Sequence, residues 1–286
     1  MMRLGAAVWG KLCEVSPVIA TRIKYRYNFG RGIHLRNPRT LDEKIQWLKL
    51  NTYRDNPLVT QCADKYLVRT YAEERGCGEI LNDLLYVWDH PSNIEWDRLP
   101  GSFVIKCNHG CGYNLLCRDK AGLNIQEAQK QLTVWYNEDY WKISAEIQYR
   151  RIPKKVICER FIGNGSPLYD YKFYCFNGKA RYVMVCTGRE QGKPKFYFFD
   201  RDWRFCPITR DGKNAPEGFT LPRPATFDQM IEYAEKLSRP FPFVRTDLYE
   251  ADGKVVFGEL TFTPASGLDT NRLPETDMLF GSMLKL

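Results

Sequence analysis

Near its C-terminal end the chain carries two apolar runs joined by an Asp-Gly turn, and each run holds one acid. The runs are Val244-Arg-Thr-Asp-Leu248 and Gly258-Glu-Leu-Thr-Phe-Thr-Pro264, and the turn is Ala251-Asp-Gly-Lys254. An Asp-Gly pair between stretches rich in Val, Leu, Phe and Tyr predicts an antiparallel hairpin. Period-2 alternation puts Arg245 and Asp247 on one face. Asp247 and Glu259, fixed on neighbouring strands, can reach the same place. Two carboxylates held this way suit a hard divalent cation, above all Mg²⁺ shared with a nucleotide's phosphates. With an arginine beside them they suit phosphoryl transfer. A solvated hairpin with ordinary surface charges is the other reading of the same residues.

The chain has 286 residues, enough for one large domain or two small ones. A hydrophobic share of 44% supports a packed core and argues against disorder. No run approaches the ~20 apolar residues that span a bilayer. Met1 to Ala20 mixes Arg3, Lys11 and Glu14 into its apolar residues, unlike a signal peptide. A cytoplasmic location follows, peripheral at the inner membrane face if the basic region below binds lipid. The ten cysteines form no CxxC pair, and Cys107, Cys111 and Cys117 surround His109 at a spacing poor for zinc. Reduced thiols are the expectation.

Charge is unevenly placed. Residues 1–54 hold eleven Lys or Arg and three acids, an excess of eight that equals the net +8 of the whole chain. Such an arm suits an anionic membrane surface or an acidic polymer, with nucleic acid disfavoured. A solvated basic face is the alternative.

Residues 5–27 read as an amphipathic helix interrupted at Pro17. Thr40-Leu-Asp-Glu43 is a capping box opening a helix through Leu50, with Leu41, Ile45 and Leu48 on its apolar face and Lys44 toward solvent. A helix is expected from Pro57 to Arg75, stopped by Gly76. Residues 80–100 read as a connector with short strand-like pieces, carrying Pro91 and Pro100. Asn124-Ile-Gln-Glu127 opens a long helix expected to reach Arg150. Strands are expected at 155–162, 170–176, 180–187 and 195–200. Thr226 is expected to cap a helix to Leu237, and the hairpin is followed by a short tail.

Ser102-Phe-Val-Ile-Lys106 is a buried-strand pattern ending in a lysine, a point charge suited to phosphate oxygens. The loop Asn108-His-Gly-Cys-Gly-Tyr-Asn114 follows, and its glycines let backbone N–H groups approach phosphates. It is neither a P-loop nor GxGxxG; a tight turn between strands fits it too. Glu159, inside the strand Val156–Ile162, must be paired or bind a polar ligand. Arg160 and Lys172 are candidate partners; adenine and ribose are candidate ligands. Asp170, Lys172 and Tyr174 share a strand face, either solvated or a second phosphate contact.

The order of these pieces resembles the ATP-grasp superfamily over about residues 60–265. The whole chain resembles its TupA-like branch, found in bacterial surface-polysaccharide gene sets. That closer likeness rests on Asn37-Pro-Arg-Thr-Leu-Asp-Glu-Lys-Ile-Gln-Trp47, Asp64-Lys65 with Val68-Arg69, Phe103-Val-Ile-Lys-Cys-Asn-His-Gly110, Asp170-Tyr-Lys-Phe-Tyr-Cys-Phe-Asn-Gly178 and Arg245-Thr-Asp-Leu-Tyr249.

The resemblance implies an α+β ATP-grasp fold, two α+β subdomains clasping ATP behind a helical N-terminal region. The divisions are 1–56 and 57–286, the latter split into 57–154 and 155–286. It implies that Lys106 and Lys65 contact phosphate and that His109, Gly110 and Gly112 belong to a loop over the phosphates. Glu159, Phe161 and Ile162 would form the adenine hinge, and Asp247 and Glu259 would hold Mg²⁺. Thr261 stands where the superfamily often has an asparagine metal ligand, which puts two-metal occupancy in doubt. Arg245 and Lys172 are the catalytic candidates. The implied activity joins a carboxylate to an amine through an acyl phosphate, on a carboxylate-bearing sugar or glycan with an amino acid or amino sugar. A sugar phosphotransferase, a glycosyltransferase and a non-enzymatic binder using the basic arm are the competing readings.

Overall fold

The structure, a computed structural model, describes residues 2–163, 168–188 and 192–286, the first three of these by backbone alone. The N-terminal helices are α1 (Met2–Val15) and α2 (Pro17–Phe29). Pro17 divides them rather than kinking one helix. It sits in the first turn of α2, where its missing N–H costs nothing, and the Ser16 side chain accepts from Ile19 N. Next comes α3 (Leu41–Leu50), whose Thr40–Glu43 capping box closes in both directions.

The helix expected from Pro57 to Arg75 is two helices, α4 (Pro57–Ala63) and α5 (Val68–Glu74). Asp64 breaks it. Its Oδ1 accepts from Tyr66 N, Leu67 N and Asn108 Nδ2, while Lys65 N donates to Asn108 O. The backbone leaves the helix to meet the glycine loop.

A first sheet follows, made of β1 (Leu84–Trp88), β2 (Phe103–Cys107), β3 (Asn114–Cys117) and β4 (Val156–Arg160), antiparallel throughout in the order β1-β4-β2-β3. β1 lies within the expected connector, and β3 was not expected. Between β3 and β4 lie α6 (Ile125–Asn137) and α7 (Trp141–Ser144), so the long helix toward Arg150 is also broken. The Glu138 carbonyl is taken by Lys154 Nζ and His109 Nε2, and Ala145 turns left-handed at φ 52°. Phe103, Ile105, Cys107, Val156, Cys158 and Leu132 form one core between this sheet and α6.

The second sheet has the order β10-β9-β5-β6-β7-β8, again antiparallel. Its strands are β5 (Asp170–Phe176), β6 (Lys179–Thr187), β7 (Lys195–Phe199), β8 (Phe205–Cys206), β9 (Phe243–Ala251) and β10 (Lys254–Thr261). Between β8 and β9 come α8 (Arg210–Lys213) and α9 (Phe227–Ser238), and α10 (Pro274–Met283) ends the chain. Phe173 and Cys175 face α9, where Phe227 stacks on Phe173. The opposite face carries Asp170, Lys172 and Tyr174. Thr226 precedes α9 but does not cap it; its N–H and hydroxyl both donate to Glu250 Oε2.

The expected tail is α10, packed against α3. Lys44, expected in solvent, donates to Gly281 O at 2.8 Å and Leu284 O at 2.6 Å, closing the C-terminal end of α10. Deeper in the same contact, Arg272 Nη1 lies 2.9 Å from Asp42 Oδ1 and 3.1 Å from Asp277 Oδ1, and its Nη2 lies 3.1 Å from Asp269 Oδ2. One buried cation thus ties α3 to the C-terminal segment.

Candidate active site

The free faces of the two sheets meet across a cavity of about 360 Å³. Alternation in β2 buries Phe103, Ile105 and Cys107 in the core and leaves Lys106 on the other side. Lys106 Nζ lies 2.6 Å from Glu159 Oε2, and Arg69 Nη1 lies 3.7 Å from Glu159 Oε1. These are the partners of Glu159. Arg160 instead pairs with Asp83 at the surface, and Lys172 belongs to the other sheet.

On the second sheet, strand register assembles the charges in rows. Lys172 stands opposite Asp247, and Asp247 opposite Glu259; Tyr174, Arg245 and Thr261 form the adjacent row. Arg245 Nε and Nη2 reach the two oxygens of Asp247 at 2.7 Å each, and its Nη2 lies 3.1 Å from Thr261 Oγ1. Lys172 bonds Asp247 and lies 2.7 Å from Asp170 Oδ2. Lys65, in the gap between α4 and α5, reaches Glu259 Oε2 at 3.1 Å and Gly110 O at 2.8 Å. A lysine on an unbroken helix would not have been so placed.

Glu259 owes its position to a β-bulge. Phe257 pairs with Leu248, yet Glu259 pairs with Asp247, so Gly258 is the extra residue. In regular pairing Glu259 would stand opposite Thr246, on the buried face. A Cβ at Gly258 would lie 2.9 Å from both Asp247 O and the Tyr249 ring, so only glycine fits.

Burial alone would raise the Glu259 carboxyl. Lys65, Lys172 and Arg245 outweigh burial and hold it well below the ordinary carboxylate range. Lys65 shows the reverse: burial lowers it, and Glu259 more than restores it. Both groups are therefore charged at neutral pH.

Lys65, Lys106, Gly112, Glu159, Ile162, Lys172, Arg245, Asp247 and Glu259 all line the cavity. Thr261 is adjacent, donating to Glu259 Oε1 at 3.2 Å. Phe161 lies just outside, under the Arg118 guanidinium. His109 and Gly110 do not line the cavity. His109 is buried against Tyr113 and Tyr136, and burial lowers its imidazole to about 4. Gly110 is required for packing, because a Cβ there would come within 3 Å of the Tyr113 and Tyr140 rings. Cys111 and Gly112 are the loop residues that reach the cavity.

The far end of the cavity was not anticipated. It is lined by Met184, Phe196, Asp269 and Asn271. Met184 lies across β6 from Lys172, on the side away from Asp247, and the Asp211 carboxylate accepts from both Phe196 N and Asn271 Nδ2. One wall is the turn at Pro264–Gly267, where Ala265, Ser266 and Gly267 hold φ of 50°, 58° and 67°. Such backbone persists only when its surroundings fix it. Here buried Glu146 accepts from the Thr263 and Ser266 hydroxyls, and Gln46 Nε2 bonds the carbonyls of Ser266 and Gly267. No local motif signals these contacts, whose partners are far apart in sequence.

Two antiparallel sheets close on a polar cavity, with Lys106 on one, Lys172, Arg245, Asp247 and Glu259 on the other, and Lys65 reaching in from between α4 and α5, and the fold is of the ATP-grasp kind. The chain belongs to the TupA-like ATP-grasp family, whose model matches residues 43–285. Similar solved structures include the D-alanine–D-alanine ligase of Bacillus anthracis complexed with ATP, at 14% identity and TM-score 0.46, covering 77% of this chain and 61% of that one. The L-amino acid ligase of Bacillus licheniformis is 12% identical with TM-score 0.46, covering 89% and 56%. The D-alanine–D-alanine ligase of Helicobacter pylori is 18% identical with TM-score 0.42, covering 78% and 61%. The chain spans about three-fifths of the length of the first-matched structures. No curated protein sequence matches it.

Proposed function

We propose that the chain is an ATP-dependent carboxylate–amine ligase that modifies a bacterial surface polysaccharide or its precursor. The observation that carries the reading is the cavity's charge arrangement: Lys65, Lys106, Lys172 and Arg245 beside two adjacent carboxylates, Asp247 and Glu259. ATP phosphates would meet Lys65 and Lys106, with the adenine toward Glu159–Ile162. Membership of an ATP-grasp family supports the nucleotide, and the polysaccharide part rests on the TupA-like likeness.

The donors fit a magnesium ion. Asp247, Glu259 and Thr261 offer three hard oxygens, and Mg²⁺ takes one or two carboxylates with substrate phosphates. Among the described residues no three His, Cys, Asp or Glu side chains form a metal cluster, so the nucleotide's own oxygens would complete the set. A bound Mg²⁺ would neutralise phosphate charge there.

In the reaction, an oxygen of the substrate carboxylate attacks the γ-phosphorus, and the bond to ADP breaks. The amine then attacks the acyl carbon, and phosphate leaves with that oxygen, so the products are amide, ADP, phosphate and a proton. Arg245 would stabilise the acyl phosphate and the tetrahedral oxyanion. Lys172 holds Asp247 and Asp170 in register. The far end, with Asp269, Asn271, Met184 and Phe196, offers hydrogen-bonding groups and apolar faces suited to a sugar or amino acid.

The test is ADP release from Mg·ATP against a panel of uronic acids, each with and without amino acids or amino sugars. Release that requires both a carboxylate and an amine is expected. Release with a sugar lacking a carboxylate would replace the ligase by a phosphotransferase, and no release with any substrate or pair on the panel would refute both.

A further inference from the structure

The outward face of α2 is an apolar stripe set between arginines. Ile19, Ile23 and Tyr27 recur at four-residue spacing and are 50%, 49% and 88% exposed. Arg22 and Arg26 form the neighbouring row, also exposed. Val8 and Val15 of α1 are exposed as well. Six of the thirteen exposed large hydrophobic residues described lie between residues 8 and 27, a concentration that scattered surface residues do not give. α2 contains no acid. Its other side is already committed: Ala20, Thr21 and Tyr25 are buried, Lys24 bonds the Ile143 carbonyl and the Ser144 hydroxyl, and Trp9 of α1 donates to Lys142 O. The helices are therefore anchored on one side and unsatisfied on the other. The family match begins at residue 43, so both helices lie outside the matched residues.

We infer that α1 and α2 form a docking face for an anionic lipid bilayer, lying in the interface plane. No helix among the described residues is long and apolar enough to cross a membrane, so the contact is peripheral. The chemistry selects lipid over other anions. A soluble polyanion would pair with Arg22 and Arg26 but leave the isoleucines in water, whereas a headgroup layer over acyl chains takes both. Tyr27 suits that boundary, with an apolar ring and a polar tip. A second copy laid on this face would bring like-charged arginines together.

Co-sedimentation of the full chain with phosphatidylcholine vesicles, with and without equimolar phosphatidylglycerol, tests the inference. Binding is expected only with phosphatidylglycerol and should weaken as salt rises. Arg22→Ala with Arg26→Ala should weaken it about thirty-fold, from roughly one kcal/mol per basic residue near such a surface. Ile19→Ser with Ile23→Ser should weaken it at least about tenfold without changing the salt dependence. Thermal melting and Mg·ATP binding, which do not involve this face, report whether each variant is folded. Equal binding to both vesicle types would overturn the inference. So would arginine-dependent binding to soluble polyuronate that ignores the isoleucines, or a dimer abolished by the isoleucine changes.

Discussion

Two clusters of charge in this protein are built from the same ingredients and serve different ends. Around Asp247 and Glu259, three cations meet these two carboxylates and Asp170 on the wall of a cavity. Around Arg272, one cation meets three carboxylates where α3 packs against the C-terminal segment. In the first cluster, under the proposed function, a nucleotide's phosphates would replace the carboxylates as partners of the lysines, and a metal would replace the cations beside the carboxylates. In the second, the Arg272 and Asp42 side chains are each 1% exposed and their pairing has no route to exchange, although Asp269, at 17%, also borders the cavity. The difference lies in access rather than composition. A buried ion pair is functional where its partners are replaceable and structural where they are not.

The largest expected effect separates the clusters by activity. Glu259→Gln should lower ADP formation about 10³-fold, the scale of losing one preorganised electrostatic group. Arg272→Met should instead act on stability, costing about 3–5 kcal/mol in denaturant unfolding because three acids lose their cation. If Arg272→Met proved as stable as wild type, the structural side of the comparison would collapse. Smaller, and again on the cavity side, Lys106→Met should weaken ATP binding by about 1.5–3 kcal/mol, read by calorimetry. An unchanged affinity would confine Lys106 to pairing with Glu159.

The smallest effect is in pH dependence. Burial pushes the Asp42 carboxyl up to about 7 against the pull of Arg272, with Asp277 and Asp269 adding to the rise. The folded protein then keeps a proton that the unfolded chain, near its ordinary 3.8, has released. The associated stability is fully present below about pH 4 and is lost as pH rises through about 7. Asp42→Asn should flatten that slope, and a slope left intact would place its origin elsewhere.

Local chemistry made much of this legible in the sequence. The Asp-Gly turn announced the hairpin, the Thr40–Glu43 box announced α3, and the lysine strand with its glycine loop announced β2 and the cavity wall beside it. What escaped was set by distant partners. Asp64 breaks its helix for Asn108, and Lys44 turns inward to cap a helix more than two hundred residues away. His109 turns into an aromatic core, where no local pattern directs it. The bulge at Gly258 is the sharpest case, because strict alternation would bury Glu259 on the wrong face of β10. The far end of the cavity escaped because Asp269 and Asn271 carry no motif and come into place only through Arg272 and Asp211.

The central claim is that the cavity's charges exchange partners with a nucleotide. Titration of Mg·ATP into the wild type and Glu259→Gln tests it most directly. Saturable, magnesium-dependent binding in the wild type, weakened at least about tenfold in the variant while both remain folded, is the predicted result. Absence of binding to the folded wild type, or equal affinity in the two proteins, would contradict it.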